Sequence, residues 1–304
     1  MLKGKTLKPG STIGIVAPAS PEDSKTIDDK INSFLSLGFN VKLGNHIYDR
    51  YGYLAGSDYN RALDINNMFI DDEVDGIVCF RGGYGSIRAL PYIDLQAIKK
   101  YPKFFCGYSD ITILLNYFAK HGLITFHGPM INSNFNDKVT LDNFLKVTST
   151  NCKLTYNLNK FNNISFINKN SFSGKLVGGN LSVICSSIGT EFEVNTDNSI
   201  LLIEDVSEVP YSIDRMLTKL IYCGKFDKCN GIILGEFTDC ALKDYSRSLT
   251  LEELFIDRLK PLNIPIINGF PFGHDYPNVI MPLGVEAKFQ ARNNVINIME
   301  NCLT

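Results

Sequence analysis

The stretch Lys103-Phe-Phe-Cys-Gly-Tyr-Ser-Asp-Ile puts a serine where it could act as a nucleophile. An apolar run ends at Cys106, Gly107 and Tyr108 supply a turn, and a helical pattern opens at Asp110, so Ser109 falls on a strand-to-helix turn. Such a turn exposes a hydroxyl and aims the positive end of a helix at it. It also leaves the N–H of the next residue, Asp110, free to stabilise an oxyanion. Serine and aspartate are equally the usual caps of a helix start. Taken alone the segment favours the cap, because Ile111 replaces the second glycine of G-x-S-x-G.

A second candidate is Arg81-Gly-Gly-Tyr-Gly-Ser-Ile-Arg, directly after the apolar run Gly76–Phe80. A dinucleotide phosphate loop fails on register, since Arg88 stands where its third glycine is needed, and no G-x-x-x-x-G-K-[ST] occurs. Glycines after a strand let a ligand approach the backbone, and their N–H groups can form an anion nest. A tight turn with positive φ is compatible with that use.

A serine nucleophile needs a base. His46 sits in a polar loop, and His121 ends a helix, where a positive charge is favourable for structural reasons alone. His127 and His274 each follow an apolar segment and could each reach a site at strand ends; spacing does not decide between them. Glu204, Asp205 and Glu236 are carboxylates at strand ends, any of which could be an ordinary solvated side chain. H-E-x-x-H, a Cys/His cluster and an Asp-rich calcium loop are all absent, so no metal and no cofactor is expected.

The elements that must position these residues read as α/β. Strands are expected at Thr12–Ala17, Asn40–Leu43, Gly76–Phe80, Lys103–Cys106 and Leu123–Phe126. Helical patterns alternate with them at Ile27–Leu37, Arg61–Ile70 and Ile111–Lys120. This alternation predicts a parallel sheet, whose ligands bind beyond the carboxyl ends of the strands. Asparagines crowd residues 136–173, read as an interdomain segment with one or two strands of its own. Beyond it, strands are expected at Lys175–Val177, Ile200–Ile203, Gly231–Leu234 and Pro265–Ile267. Helices are expected there at Leu181–Ser187, Ile213–Cys223 and Leu251–Lys260, and a hairpin turned at Asn293–Asn294. The expected division is therefore an N-terminal α/β domain (1–135), the Asn-rich segment (136–173) and a smaller C-terminal α/β domain (174–304).

Composition narrows the function classes. With 304 residues, 44% hydrophobic and 20% charged, two globular domains are expected. A formal charge of −2 with dispersed Lys and Arg argues against nucleic acid and against an anionic membrane surface. Met1–Gly10 has no apolar stretch of a signal peptide, and no run approaches a membrane span. The eight cysteines form no C-x-x-C pair and are expected to be reduced thiols in a cytoplasmic protein.

Taken together, five segments resemble the LD-carboxypeptidase family of serine peptidases, which includes the microcin C self-immunity proteins. They are Thr12-Ile-Gly-Ile-Val-Ala-Pro-Ala-Ser, Phe80-Arg-Gly-Gly-Tyr-Gly, Gly107-Tyr-Ser-Asp-Ile-Thr, Ile203-Glu-Asp-Val-Ser-Glu-Val-Pro-Tyr-Ser-Ile-Asp-Arg-Met-Leu and Pro271-Phe-Gly-His-Asp-Tyr-Pro-Asn. Gly178-Gly-Asn-Leu and Pro282-Leu-Gly-Val fit as well. The resemblance implies Ser109 as nucleophile, His274 as base and Glu204 as the residue orienting it, with Asp205 and Glu236 as bystanders. It implies oxyanion donors at the N–H groups of Gly83 and Asp110, an active site where the two domains meet, and homodimers. The implied substrate is murein tetrapeptide, losing its terminal D-alanine in cell-wall recycling. The alternatives are a peptidyl or aminoacyl nucleotide, as in the immunity branch, or a two-domain binding protein without chemistry. Arg81, Gly82, Tyr84 and Arg88 are candidate substrate contacts, the arginines for the free carboxylate or merely as surface ion pairs.

Overall fold

The computed structural model describes all 304 residues, which form two compact units. Unit 1 holds Met1–Cys152, Val279–Gly284 and Asn301–Thr304; unit 2 holds Lys153–Asn278 and Val285–Glu300. The strands are β1 (Thr12–Val16), β2 (Asn40–Leu43), β3 (Gly76–Cys79), β4 (Phe104–Gly107), β5 (Thr125–His127), β6 (Lys153–Asn157), β7 (Ser165–Ile167) and β8 (Phe172–Asn180). They continue as β9 (Ser199–Val206), β10 (Gly231–Thr238), β11 (Ile266–Asn268), β12 (Met281–Leu283), β13 (Glu286–Gln290) and β14 (Val295–Asn301).

Unit 1 is built on a six-stranded sheet in the order β12-β5-β4-β3-β1-β2. Its five N-terminal strands are parallel, and β12 closes one edge antiparallel to β5. Every residue of β3 and β4 is buried. Successive side chains of a strand point to opposite faces, so both faces of the sheet are covered there. That is why these strands read in the sequence as unbroken apolar runs.

Unit 2 carries an eight-stranded sheet in the order β6-β14-β13-β8-β9-β10-β11-β7. Its centre, β8-β9-β10-β11, is parallel, and β7 and the β13–β14 hairpin flank it antiparallel. Leu201, Ile203, Ile232 and Leu234 pack with Ile213, Leu217 and Leu220 of the helix Pro210–Tyr222 in the core. The hairpin turns at Asn294, whose φ is 54°.

The boundaries differ from those expected. The segment 136–173 is not a separate connector. Its first half forms the helix Lys138–Ser149, which belongs to unit 1, where Phe144 meets Phe34 edge-on at 6.0 Å and Phe104 at 6.5 Å. Its second half supplies β6, β7 and the start of β8 to unit 2. The C-terminal segment is shared as well. β12 pairs with β5, and Thr304 exchanges backbone hydrogen bonds with Gly4 and Thr6, so both stretches belong to unit 1. No helix is long and apolar enough to cross a membrane.

Candidate active site

In unit 1, Ser109 follows β4 and opens a short 3₁₀ turn (Ser109–Ile111) that runs into the helix Thr112–Lys120. Its φ of 64° is in the left-handed region, which a residue with a Cβ enters at a cost of about 1–3 kcal/mol. A simple helix cap adopts extended backbone instead, and here that role falls to Tyr108, at φ −152°. Ser109 is therefore not the N-cap of this turn, and its strained backbone has the form of a strand-to-helix elbow. The missing second glycine is explained by the first: a Cβ on Gly107 would lie 2.8 Å from the side chain of Ile111. The N–H of Asp110 is in the first turn, where amides lack an intrahelical acceptor.

The glycine loop lies against this elbow. A Cβ on Gly82 would come within 2.7 Å of Ser109 Cβ and 3.4 Å of the Asp110 nitrogen, so only glycine fits. Gly83 has φ 121°, and its missing side chain leaves room for Ser20, whose Oγ accepts the N–H of Tyr84 at 3.1 Å. Tyr84 is exposed and its ring is 5.8 Å from that of Tyr53.

In unit 2, Glu204 is fully buried and its Oε2 lies 2.7 Å from Nδ1 of His274, which is 15% exposed. The strand carrying Glu204 does not end at Ile203 as expected; β9 runs on to Val206. It can do so because β10 bulges opposite it. Leu234 pairs with Ile203 and Phe237 with Asp205, so Gly235 and Glu236 together face Glu204. Bulges re-aim side chains next to active sites. This one also receives the histidine loop, for Glu236 N–H donates to the Phe272 carbonyl, and Gly269 and Phe270 donate to that of Leu234. Gly273 has φ 124°, and a Cβ there would be 2.8 Å from Glu204 Oε2. Asn278 then donates to the Gly273 carbonyl at 2.8 Å.

Of the rival acids, Asp205 is engaged elsewhere. Asp205 points to the opposite face of β9 and accepts from the Ser182 N–H at 3.0 Å, its hydroxyl at 2.6 Å and Asn180 Nδ2 at 3.0 Å. Burial pushes the carboxyl of Asp205 up, against the pull of Ser182. Burial also raises that of Glu236, with Asp275 adding to it. No group of three or more His, Cys, Asp and Glu forms a metal site.

Residues 13–128 match the LD-carboxypeptidase N-terminal domain and residues 173–289 the C-terminal domain of the same family. The chain belongs to the LD-carboxypeptidase family. It is a serine-type carboxypeptidase. A Bacillus subtilis (strain 168) protein named "Probable murein peptide carboxypeptidase" is 39% identical over 94% of this chain and 90% of its own length. The murein tetrapeptide carboxypeptidase of Pseudomonas aeruginosa is 30% identical over 90% of this chain and 92% of its own. A structure of the microcin C7 self-immunity protein MccF with aspartyl sulfamoyl adenosine superposes with a TM-score of 0.90, at 27% identity and covering 100% of both chains.

Of the other histidines, His127 is fully buried in β5, opposite Gly107 and Met281. His46 pairs with Asp49 at 2.9 Å. His121 does close its helix, yet burial, with Lys99 and Lys120, pushes its pKa down, so the positive charge expected there is disfavoured. Arg81 bonds Glu22 at 2.6 Å, and Arg88 bonds Asp58 at 3.0 Å. Each arginine thus already holds a carboxylate, the ordinary ion pair that was one of its two expected roles. Sequence reasoning gave no role to Ser20 and Arg61, which bond the glycine loop, or to Gly273, which packs against Glu204. Ser20 closes the first resembling segment and Gly273 precedes the histidine, so both were quoted without a role. Arg61 had no signal beyond lying on a helical pattern.

Proposed function

We propose that Ser109, His274 and Glu204 form a catalytic triad that removes the terminal D-alanine from murein tetrapeptide. The observation that carries this reading is the fully buried Glu204 carboxylate at 2.7 Å from Nδ1 of His274. A carboxylate on Nδ1 selects the tautomer with a basic Nε2 and stabilises the imidazolium that forms when Nε2 takes a proton.

The steps follow from these roles. His274 takes the proton of Ser109 as Oγ attacks the carbonyl of the third residue. The oxyanion is held by the N–H groups of Gly83 and Asp110. The C–N bond breaks, the imidazolium gives its proton to the departing amine of D-alanine, and an acyl-serine remains. Water, deprotonated by His274, then hydrolyses that ester. The relatives named for murein peptides support the substrate. Cytoplasmic recycling of wall peptides and a homodimer are the finer parts of the same reading.

The TM-score of 0.90 to MccF bound to aspartyl sulfamoyl adenosine favours a second substrate class, aminoacyl nucleotides. One competition decides. The enzyme is given murein tetrapeptide and aspartyl sulfamoyl adenosine, and free D-alanine and free aspartate are measured. We expect D-alanine release to have the higher kcat/KM. The opposite ranking would move the protein to the immunity-type class and leave the serine mechanism in place.

A further inference from the structure

Arg61 is 1% exposed, on the helix Asp58–Ile70, and is the bulkiest fully buried side chain of the protein. Its guanidinium reaches the glycine loop: Nη1 donates to the carbonyl of Gly85 at 2.8 Å and to that of Pro18, while Nη2 bonds Asp58. The other end of the same peptide unit meets an anion. Asp110, 6% exposed, accepts the N–H of Ser86 on its Oδ2 at 2.7 Å. One peptide, Gly85–Ser86, is therefore gripped at its C=O by a buried cation and at its N–H by a buried carboxylate. Hydrogen bonds to ionised groups are about twice as strong as neutral ones.

Burial works against both charges, lowering the pKa of Arg61 and raising that of Asp110. The ion pair of Arg61 is with Asp58, and a buried ion pair is commonly no more stabilising than well-packed apolar residues of the same volume. Stability alone is therefore a weak reason for this arrangement, and the backbone it holds is a better one. The loop touches the serine turn at two points, Gly82 against Ser109 and Ser86 on Asp110, and Gly83 lies between them. Gly85, at φ 119°, has no room for a side chain: a Cβ would be 3.1 Å from Arg61 Nη1 and 2.4 Å from Leu54 Cδ2.

We propose that Arg61 and the Asp110 carboxylate are positioning groups that set the spacing of the two oxyanion donors, the N–H groups of Gly83 and Asp110. The inference rests on the triad reading above. Neither charged group touches the substrate; each acts through the loop backbone. Donors must lie 2.7–3.1 Å from the oxyanion, and a misplacement of about 1 Å can lower the rate about 10²-fold.

The test uses Asp110→Asn, which keeps size and removes charge, alongside Arg61→Lys and Ser109→Ala. Steady-state kinetics on murein tetrapeptide are combined with inhibition by a tripeptide boronic acid, whose boron accepts Ser109 Oγ and becomes a tetrahedral anion. We expect Asp110→Asn to lower kcat about 10²-fold with KM nearly unchanged, and to weaken boronate inhibition by a similar factor. A group that acts only in the transition state gives this split. A folded Arg61→Lys should show the same split, and unchanged kcat and boronate affinity in it would overturn the role of Arg61. If it does not fold, Asp110→Asn decides whether the loop is held in this way. Unchanged kcat and boronate affinity in Asp110→Asn, or a loss confined to KM, would overturn the inference. Activity surviving in Ser109→Ala would instead overturn the triad on which it rests.

Discussion

At the scale of single residues, the decisive pair is Glu204 and Asp205. Adjacent residues of a strand face opposite ways, so only one of two neighbouring acids can meet His274. The sequence left both open, and the resemblance alone chose Glu204. The geometry is the support for the proposed assignment: Glu204 Oε2 is 2.7 Å from His274 Nδ1, while Asp205 is occupied by Ser182 and Asn180 on the other face. The two positions should therefore fail differently. Glu204→Gln should keep the denaturation midpoint and lower kcat about 10⁴-fold, because an amide favours the wrong imidazole tautomer. Asp205→Ala should leave kcat within a few-fold and cost about 1–3 kcal/mol of stability, the penalty for stranding buried donors. Kinetics and urea denaturation on the two variants check both halves. A dead Asp205→Ala beside a normal Glu204→Gln would contradict the assignment.

At the scale of elements, what was legible depended on how each element is buried. Strands β1 to β4 were expected to within about a residue. Of these, β1, β3 and β4 were legible because strands covered on both faces are continuous apolar runs, whereas β2 is a partly exposed edge strand. The end of β9 was hidden, since Glu204 and Asp205 interrupt the apolar run although the strand continues through them. The helix Lys138–Ser149 was masked by the asparagines around it, yet Asp137 caps it, accepting from Thr140 N–H at 2.8 Å. The start of β4 offers a pH test. Lys103 is buried beside it, donating to the Asp71 carbonyl, and burial lowers its pKa to about 8, with Asp71 opposing and Lys5 adding to the fall. Below about pH 8 the lysine is charged in both states and the cost of its burial is fully present. Between about 8 and the ordinary 10.5 the folded state loses the proton first, so its stability contribution rises with pH. The difference in urea midpoint between Lys103→Met and the parent should therefore shrink as pH rises from 7.5 to 10. A difference that stays constant or widens would contradict the assignment.

At the scale of the whole molecule, two α/β units were legible from the repeated strand–helix pattern, and the order of motifs carried the family. The path of the chain was not legible. β12 and the last four residues return to unit 1 through pairing with β5 and with Gly4 and Thr6, contacts that leave no local periodicity. Ser109 shows the same limit at the site. Its sequence favoured a cap, and only the φ of 64° separates an elbow from a cap. The most direct test is D-alanine release from murein tetrapeptide by Ser109→Ala, compared with the parent enzyme at equal folded concentration. The account predicts a fall on the order of 10⁶-fold, as for loss of a nucleophilic serine in other triads, with an unchanged denaturation midpoint. A folded Ser109→Ala enzyme that keeps a tenth of the parent rate would contradict it.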